Sequence, residues 1–305
     1  MKKTLLLTRR NIKMFFKDKA LFFTSLITPL ILLVLYATFL SNVYRDSFVQ
    51  VFAGFSVPED VIDGIVGGQL VSSLLAVSCI TVAFCSNMLM VQDKVNGTFG
   101  DFCIAPVRRS ELAMAYFAAS AVSTLTISLT AAVFGFIYLA AVGWFLSAGD
   151  VLLLLLDVVL ISLFGTALSS IVNCFLTSQG QISAVGSIVS SCYGFICGAY
   201  MPISSFSDGL AGVLYCLPGT YATSLVRNHA LRGAVEELSK AVPPEVADVL
   251  KETVDMSIPA FGEIVPVWAM YIILSVSLAV CVGAYVLICA MREKRRVKVS
   301  ETHKI

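Results

Sequence analysis

Long apolar runs separated by short polar segments make up most of the chain. Six of these runs reach the roughly 20 residues that a membrane-spanning helix requires. They cover residues 20–40, 66–91, 112–140, 151–173, 182–201 and 264–290. Pro29 lies inside the first run, where it predicts a kink. The pattern therefore predicts an all-α integral membrane protein with six transmembrane helices.

Two shorter apolar pieces lie between the fifth and sixth runs. Residues 210–217 and 221–226 are each too short to cross a bilayer, and Pro218-Gly219 separates them. Backbone that enters a membrane without crossing it is tolerated where protein surrounds it. We therefore expect a re-entrant hairpin at 202–228, before the last span of a transmembrane domain at 20–291, with an interfacial hairpin as the alternative.

The segment at 229–262 is polar enough to lie in water. After Pro243-Pro244, apolar residues recur at helical spacing. These residues are Val246, Val249, Leu250 and Val254. We expect a small extracytoplasmic helical cap at this position rather than a separate domain.

Composition supports a membrane protein. Of the 305 residues, 58% are hydrophobic and 13% are charged, whereas soluble domains carry about 25% charged residues. The nine cysteines are odd in number, form no C-x-x-C pair and fall mostly in apolar runs. They are therefore interpreted as small buried hydrophobic residues, with no disulfide framework or metal site.

Basic residues set the orientation of the chain. Sixteen of the 21 Lys and Arg residues lie in 1–19, 92–111 and 292–305, which share one side if six helices span. The positive-inside rule then places both termini in the cytoplasm of a cell-membrane protein, with a basic tail at 292–305. The N-terminal 1–19 mixes cations with apolar residues and predicts an amphipathic helix on the inner leaflet. A plain positively charged anchor is the alternative.

The sequence GTFGDFCIAPVRRSEL, at 97–112, lies in the predicted cytoplasmic loop between the second and third spans. Gly97 and Gly100 allow a sharp departure from the preceding helix axis, and Pro106 prevents that helix from continuing. The intervening Thr98–Ile104 is long enough for about two helical turns. We expect a short helix that projects into the cytoplasm.

This short helix suits docking to another protein. Phe99 and Phe102 provide an apolar knob, and Asp101, Arg108 and Arg109 provide flanking charges. An apolar helix face of this kind fits into the groove of a partner.

Two motifs resemble a known family. Lys94-x-x-Gly97-Thr98, followed by Pro106-x-x-Arg109-Ser110, resembles the cytoplasmic loop of ABC-2-type transporter permeases. Gly194-x-x-x-Gly198-Ala-Tyr200-Met-Pro202, followed by Leu217-Pro218 and Arg227, resembles the fifth span and re-entrant hairpin of that family. Gln92-Asp93-Lys94 departs from the acidic-basic pair that often precedes the loop glycine. The order of the motifs extends the resemblance over essentially the whole chain.

The resemblance implies the permease subunit of an ATP-driven exporter, which forms the substrate pathway with a second permease copy or a paralogue. The short helix would be a coupling helix seated in a cytoplasmic ABC ATPase. The coupling residues would be Gly97, Thr98, Phe99, Asp101, Phe102, Pro106 and Arg109. The chain has no G-x-x-x-x-G-K-[ST] phosphate loop, so ATP and Mg are expected on a separate ATPase polypeptide. We expect no cofactor on this chain, and the long extracytoplasmic segment favours a drug, peptide or lipid-like cargo.

Asp157 is the one acid well inside a predicted span. An Asp at a helix centre costs about 3 kcal/mol on insertion scales, so we expect it to face protein or water. A place in a substrate cavity or proton relay and a structural hydrogen bond both remain open.

Small residues recur every four positions in the fifth run. Such a stripe lets two helices approach closely. The candidates for the pathway or a dimer interface are Gly186, Ser190, Gly194, Gly198, Pro202 and Asp157. Packing within one chain is the alternative.

Other classes of function have less support. A secondary transporter driven by an ion gradient would normally show inverted repeats and several intramembrane charges. A non-transporting scaffold would not need the coupling-type loop. The Glu236-Glu237 pair lies outside the predicted membrane region, and neither His229 nor His303 falls in a predicted span. No catalytic constellation is assigned, and we expect no enzyme.

Overall fold

The computed structural model describes residues 2–52, 54–105, 107–260 and 263–302, except for the side chains of Cys103 and of residues 292–302. These residues are largely helical. The α-helices are α1 (Lys2–Lys17), α2 (Lys19–Leu35), α3 (Ser41–Val51), α4 (Glu59–Ser86), α5 (Met88–Val95), α6 (Thr98–Ile104), α7 (Arg109–Val142), α8 (Ala148–Phe175), α9 (Gln179–Ile196), α10 (Asp208–Leu214), α11 (Pro218–Ala241), α12 (Pro244–Thr253) and α13 (Val267–Thr302). A π-helical turn covers Tyr36–Leu40, and a 3-10 turn covers Ile203–Ser205. Strands β1 (Pro259–Ala260) and β2 (Glu263–Ile264) pair antiparallel.

Five continuous helical segments in the described part of the chain are long and apolar enough to cross a membrane. They are Lys19–Val51, Glu59–Val95, Arg109–Val142, Ala148–Phe175 and Val267–Met291. The first continues through Pro29 and the π-helical turn, well beyond the predicted end at residue 40. Helices α10 and α11 form a further candidate as a pair bent by 86°. The fold is therefore an all-α, multi-pass membrane protein.

The predicted fifth span at 182–201 corresponds to α9 and does not belong to those five segments. Two glutamines and four serines lower the hydropathy of its 18 residues. At 1.5 Å per residue α9 is about 27 Å long, close to the thickness of a hydrocarbon core. Helix α9 is therefore long enough to cross a membrane, but its composition is too polar to identify it as a span. The count of six spans stays a prediction.

Helix α4 is the centre of the molecule and contacts α2, α7, α8, α9 and α11. It is buried along nearly its whole length. Small residues bring its neighbours close. A Cβ added at Gly68 would lie 2.9 Å from the carbonyl oxygen of Ala230 on α11, and one at Gly165 of α8 would lie 2.8 Å from Ile80 Cδ1. Substituting Gly68 would push α4 and α11 apart, because the obstructing atom belongs to the backbone.

Helix α1 forms where the amphipathic helix is predicted, and it packs partly on protein. Asn11 and Phe15 are both 1% exposed, because α1 contacts α7 and α2. Leu5 and Leu6 remain exposed. At the other end of the chain, α13 continues the last span into the predicted basic tail, and its backbone is described to Thr302.

The predicted boundary between hairpin and cap at residue 228 lies inside one continuous helix. Helix α11 runs from Pro218 to Ala241, because no Pro or adjacent Gly pair interrupts the sequence before Pro243. Its outer half buries Leu231, Val235 and Leu238 in a cluster shared with α4 and α12. The predicted cap helix is present as α12. The polar outer segment is therefore packed onto the transmembrane helices.

Candidate functional site

Helix α6 occupies the predicted Thr98–Ile104, and its ends have clear local causes. Gly97 precedes it with φ +82°, a left-handed conformation that favours glycine. Gly100, also predicted to allow the turn, lies within the helix in open space. Ala105 is extended with ψ 154°, as expected for a residue before proline. Pro106 itself lies outside the described residues.

The aromatic residues of α6 face the transmembrane helices. Phe99 and Phe102 are half-buried in a cluster with residues of α5, α7, α8 and α13. The Phe99 ring stacks on Tyr116 at 6.4 Å between centroids, and the Arg10 guanidinium lies 5.1 Å from the Phe102 centroid. The predicted apolar knob is therefore largely turned inward, where it attaches α6 to the membrane domain.

The outward face of α6 consists of different residues. Gly97, Gly100, Asp101 and Ile104 are all exposed, at the helical spacing that places them on one side. Ile104 is 87% exposed, more than any other large apolar side chain in the described part of the chain. Thr98 is partly exposed at the edge of this face. A protruding isoleucine next to an acid is a surface feature that a partner groove fits.

A buried network lies directly behind α6. Arg10 of α1 donates to both carboxylate oxygens of Asp93, from Nη1 at 2.5 Å and from Nη2 at 3.1 Å. Tyr116 Oη of α7 donates to the same Asp93 carboxylate at 2.5 Å. The hydrogen bond to Asp93 raises the pKa of Arg10 further above its ordinary value, although partial burial opposes this effect. Asp93 therefore joins α1, α5 and α7.

Lys94 has a structural role within the same region. Its Nζ donates to the carbonyl oxygens of Asn173, Cys174 and Leu176 at 2.7, 3.0 and 3.1 Å. These carbonyls belong to the C-terminal end of α8, where helical acceptors lack partners and where a cation also complements the helix dipole. Lys94 therefore connects α5 to α8. Arg109 lines a small cavity under α6 beside it.

Asp157 is fully buried and makes two hydrogen bonds. Its Oδ2 lies 2.6 Å from His229 Nδ1 of α11, and its Oδ1 accepts a hydrogen bond from Tyr271 Oη of α13 at 2.6 Å. These partners are 72 and 114 residues away, so sequence spacing gave no signal for them. Asp157 faces protein, and the interaction joins α8, α11 and α13. His229 lies outside every predicted span yet reaches this intramembrane acid.

Arg227 forms a further buried ion pair, at the end of the fold opposite α6. Its Nη1 donates to Asp255 Oδ2 at 2.9 Å, and its Nη2 donates to the Gly198 carbonyl at 2.6 Å. The Ile203 backbone N–H also donates to Asp255 Oδ2, at 2.8 Å. Burial raises the pKa of the Asp255 carboxyl above its ordinary value, and the Arg227 guanidinium opposes this rise. The pair fastens the end of α9 and the loop after α12 to α11.

Gly198 belongs to this ion-pair region. It has φ +74°, and a Cβ there would lie 2.9 Å from Ile203 Cγ1 and 3.0 Å from Asp255 Oδ2. Both the backbone conformation and the available space therefore favour glycine. Asp255 also has positive φ, at +52°, a conformation that Asp tolerates better than most residues.

The rest of the predicted small-residue stripe is divided between protein and surface. Gly194 is buried under the Tyr200 ring, and Gly186 is half-buried. Ser190 is exposed. Pro202 precedes the 3-10 turn and is half-buried. The stripe therefore serves partly for packing within the chain, and its exposed part leaves the dimer role a prediction.

No group of three or more His, Cys, Asp or Glu side chains among the described residues is arranged to hold a metal ion. The three buried acids described above, Asp93, Asp157 and Asp255, each pair with an Arg or a His and accept a further hydrogen bond. The notable features of this region are therefore an exposed helix face and the buried contacts that support it.

Comparison with known protein families agrees with this geometry. The family model described as ABC-2 type transporter matches residues 2–230. The matched region begins in α1, contains α6 with its supporting network, and ends in α11 after Arg227 and His229. No curated protein matches the chain significantly. Because the family match covers more than half of the 305 residues, the chain belongs to the ABC-2 type transporter family of membrane permeases.

Proposed function

We propose that the chain is the membrane permease subunit of an ATP-driven exporter. It would form the substrate pathway as a dimer with a second copy or a paralogue. A separate cytoplasmic ATPase would bind ATP and Mg and would dock on α6. The observation that carries this proposal is the arrangement of α6, whose inner face is fixed to the membrane domain while Ile104 protrudes from its outer face.

Helix α6 is attached firmly enough to transmit movement. Phe99 stacks on α7 through Tyr116, and Phe102 lies against Arg10 of α1. Arg10 and Tyr116 share the Asp93 carboxylate. A displacement of α6 by the ATPase would therefore carry α1, α5 and α7 with it. Such rigid-body movement is the usual way in which a small shift at one site reaches distant helices.

The structure suggests a division of labour among the predicted coupling residues. Asp101 and Ile104 are exposed and would contact the ATPase. Phe99 and Phe102 would hold α6 in place. Gly97 would set the direction of the helix through its left-handed conformation.

Two exposed tryptophans mark the end of the spans opposite α6, which we propose to be the extracytoplasmic end. Trp144 precedes α8, Trp268 begins α13, and they are 47% and 67% exposed. Trp144 follows the span α7, and Trp268 lies at the start of the span α13, in both cases at the end opposite α6. Tryptophans of this kind are enriched at membrane–water interfaces. The outer region beyond them, with α12, fits a permease that exports a drug, peptide or lipid-like cargo.

The test is affinity purification of the tagged chain in lipid nanodiscs, with mass spectrometry for a stoichiometric ATPase. Ile104→Asp adds a charge at the protruding position and is expected to reduce ATPase recovery at least tenfold. The control is Gln179→Asp, which adds the same charge at the exposed first residue of α9. Equal recovery with both variants, or no ATPase with the unmodified chain, would contradict the proposal.

The gradient-driven alternative depends on Asp157. This acid lies nine residues into α8, about 13 Å from the start of the helix. Its pairing with His229 and Tyr271 is a geometry that a proton relay also uses. Transport that needs no ATPase, stops with a protonophore and is lost in Asp157→Asn would favour this alternative. The two hydrogen bonds also satisfy Asp157 structurally, so the exporter remains our proposal.

A further inference from the structure

Two cysteines from distant parts of the chain meet beneath α6. Cys174, at the C-terminal end of α8, and Cys289, in α13, are 115 residues apart, and their Sγ atoms are 3.6 Å apart. A disulfide bond is about 2.0 Å long, so an approach of about 1.6 Å would join them. Cys174 is 4% exposed, whereas Cys289 is half-buried. Cys289 is therefore the more accessible of the two cysteines.

Both thiols line a cavity that a small oxidant can enter. The cavity has a volume of about 70 Å³ and is also lined by Lys94, Phe99 and Arg109. That volume is several times the roughly 10–15 Å³ needed to hold one water molecule. The cavity therefore has room for hydrogen peroxide beside both sulfur atoms.

We propose that Cys174 and Cys289 form a peroxide-sensitive dithiol site in the permease. The Cys289 thiolate attacks one oxygen of hydrogen peroxide, the O–O bond breaks, and the departing hydroxide takes a proton to become water. Cys289 is then a sulfenic acid. The Cys174 thiolate attacks its sulfur, the S–O bond breaks, and a second water leaves as the disulfide forms. Two thiols are oxidised and one peroxide is reduced to two waters.

The disulfide would restrain the helices that support α6. It would tie α8 to α13 next to Lys94, which already holds the end of α8 to α5. On the other side, Tyr285 Oη of α13 donates to the Ala113 carbonyl of α7 at 3.1 Å. A cross-link here would fix the spacing of α8 and α13 under the coupling helix. We expect oxidation to arrest transport reversibly. This functional effect rests on the proposed function, whereas formation of the disulfide does not.

The chemical test uses the full chain in nanodiscs. After treatment with hydrogen peroxide and alkylation of remaining thiols, non-reducing digestion and mass spectrometry should detect a peptide linking Cys174 to Cys289. The linked peptide should disappear with dithiothreitol and should be absent from Cys174→Ser and Cys289→Ser. The exposed Cys192 and Cys216 report that the oxidant acted. Their oxidation without the linked peptide would overturn the proposal.

The functional test compares transport with the partner ATPase before and after peroxide. We expect a loss of at least tenfold in the unmodified chain, recovery with dithiothreitol, and little loss in Cys174→Ser. Undiminished transport in a chain that carries the linked peptide would overturn the regulatory role. Failure of the reduced chain to transport anything would instead contradict the proposed function. The two failures are distinguishable, because the linked peptide is measured on the chain alone, without the ATPase.

Discussion

The Arg227–Asp255 ion pair should carry much of the stability of the outer half of the fold. Asp255→Asn removes its charge while keeping a side chain that tolerates φ +52°. It leaves Arg227, whose side chain is 1% exposed, without a charged partner. Breaking a buried pair in this way costs about 3–5 kcal/mol. We expect roughly 3 kcal/mol, because the amide oxygen still accepts hydrogen bonds, and a fall in Tm of about 6 °C at about 2 °C per kcal/mol.

The matched control also replaces an acid by its amide, at an exposed pair. Arg45 Nη2 lies 2.8 Å from Glu59 Oε2, and the two side chains are 43% and 82% exposed. Exposed pairs contribute about 1 kcal/mol or less, so Glu59→Gln should lower the Tm by no more than about 2 °C. The assay is thermal unfolding in nanodiscs, followed by tryptophan fluorescence. Equal shifts for Asp255→Asn and Glu59→Gln would refute the argument that burial makes Arg227–Asp255 important.

Two further substitutions test the placement of α6 and the role of Asp157. Gly97→Ala places a Cβ at φ +82° and should destabilise the left-handed conformation before α6 by about 1–2 kcal/mol. The resulting change in the direction of α6 should lower ATPase recovery. Gly180→Ala, in open space within α9, should retain full recovery, and the reverse order would contradict the assignment. Asp157→Asn should leave assembly and transport intact, because an amide can still pair with His229 and Tyr271. A fall in transport across the whole pH range, with normal Tm, would favour a proton relay instead.

Local sequence was sufficient for the elements whose causes are local. Helix α6 has the predicted bounds, because both of its ends have causes close by in the sequence. Gly97 determines where the helix begins, and Pro106 restricts the residue before it and so determines where the helix ends. Helices α1 and α12 were also predicted, from their amphipathic spacing. The apolar runs identified membrane helices for the same reason, since the bilayer requires long apolar segments whatever the neighbouring helices are.

Two differences arose because sequence patterns do not show what a helix packs against. The predicted hairpin and cap are joined in α11, whose polar outer half is stabilised by contact with α4 and α12. Phe99 and Phe102 were predicted to reach outward, but they are attracted to Tyr116 and Arg10 on other helices. Ile104, with little apolar surface nearby, is left exposed.

By itself, the sequence determined that this chain lies in a membrane and that a short helix interrupts its spans. Tertiary structure decided which residues of that helix face outward, and it brought together the partners of Asp157, Arg227 and Cys174. Asp255, His229 and Cys289, three of these partners, lie between 28 and 115 residues away. The physical reason is that a buried polar group must be paired, and helix packing, not sequence distance, determines which group is near enough to pair with it.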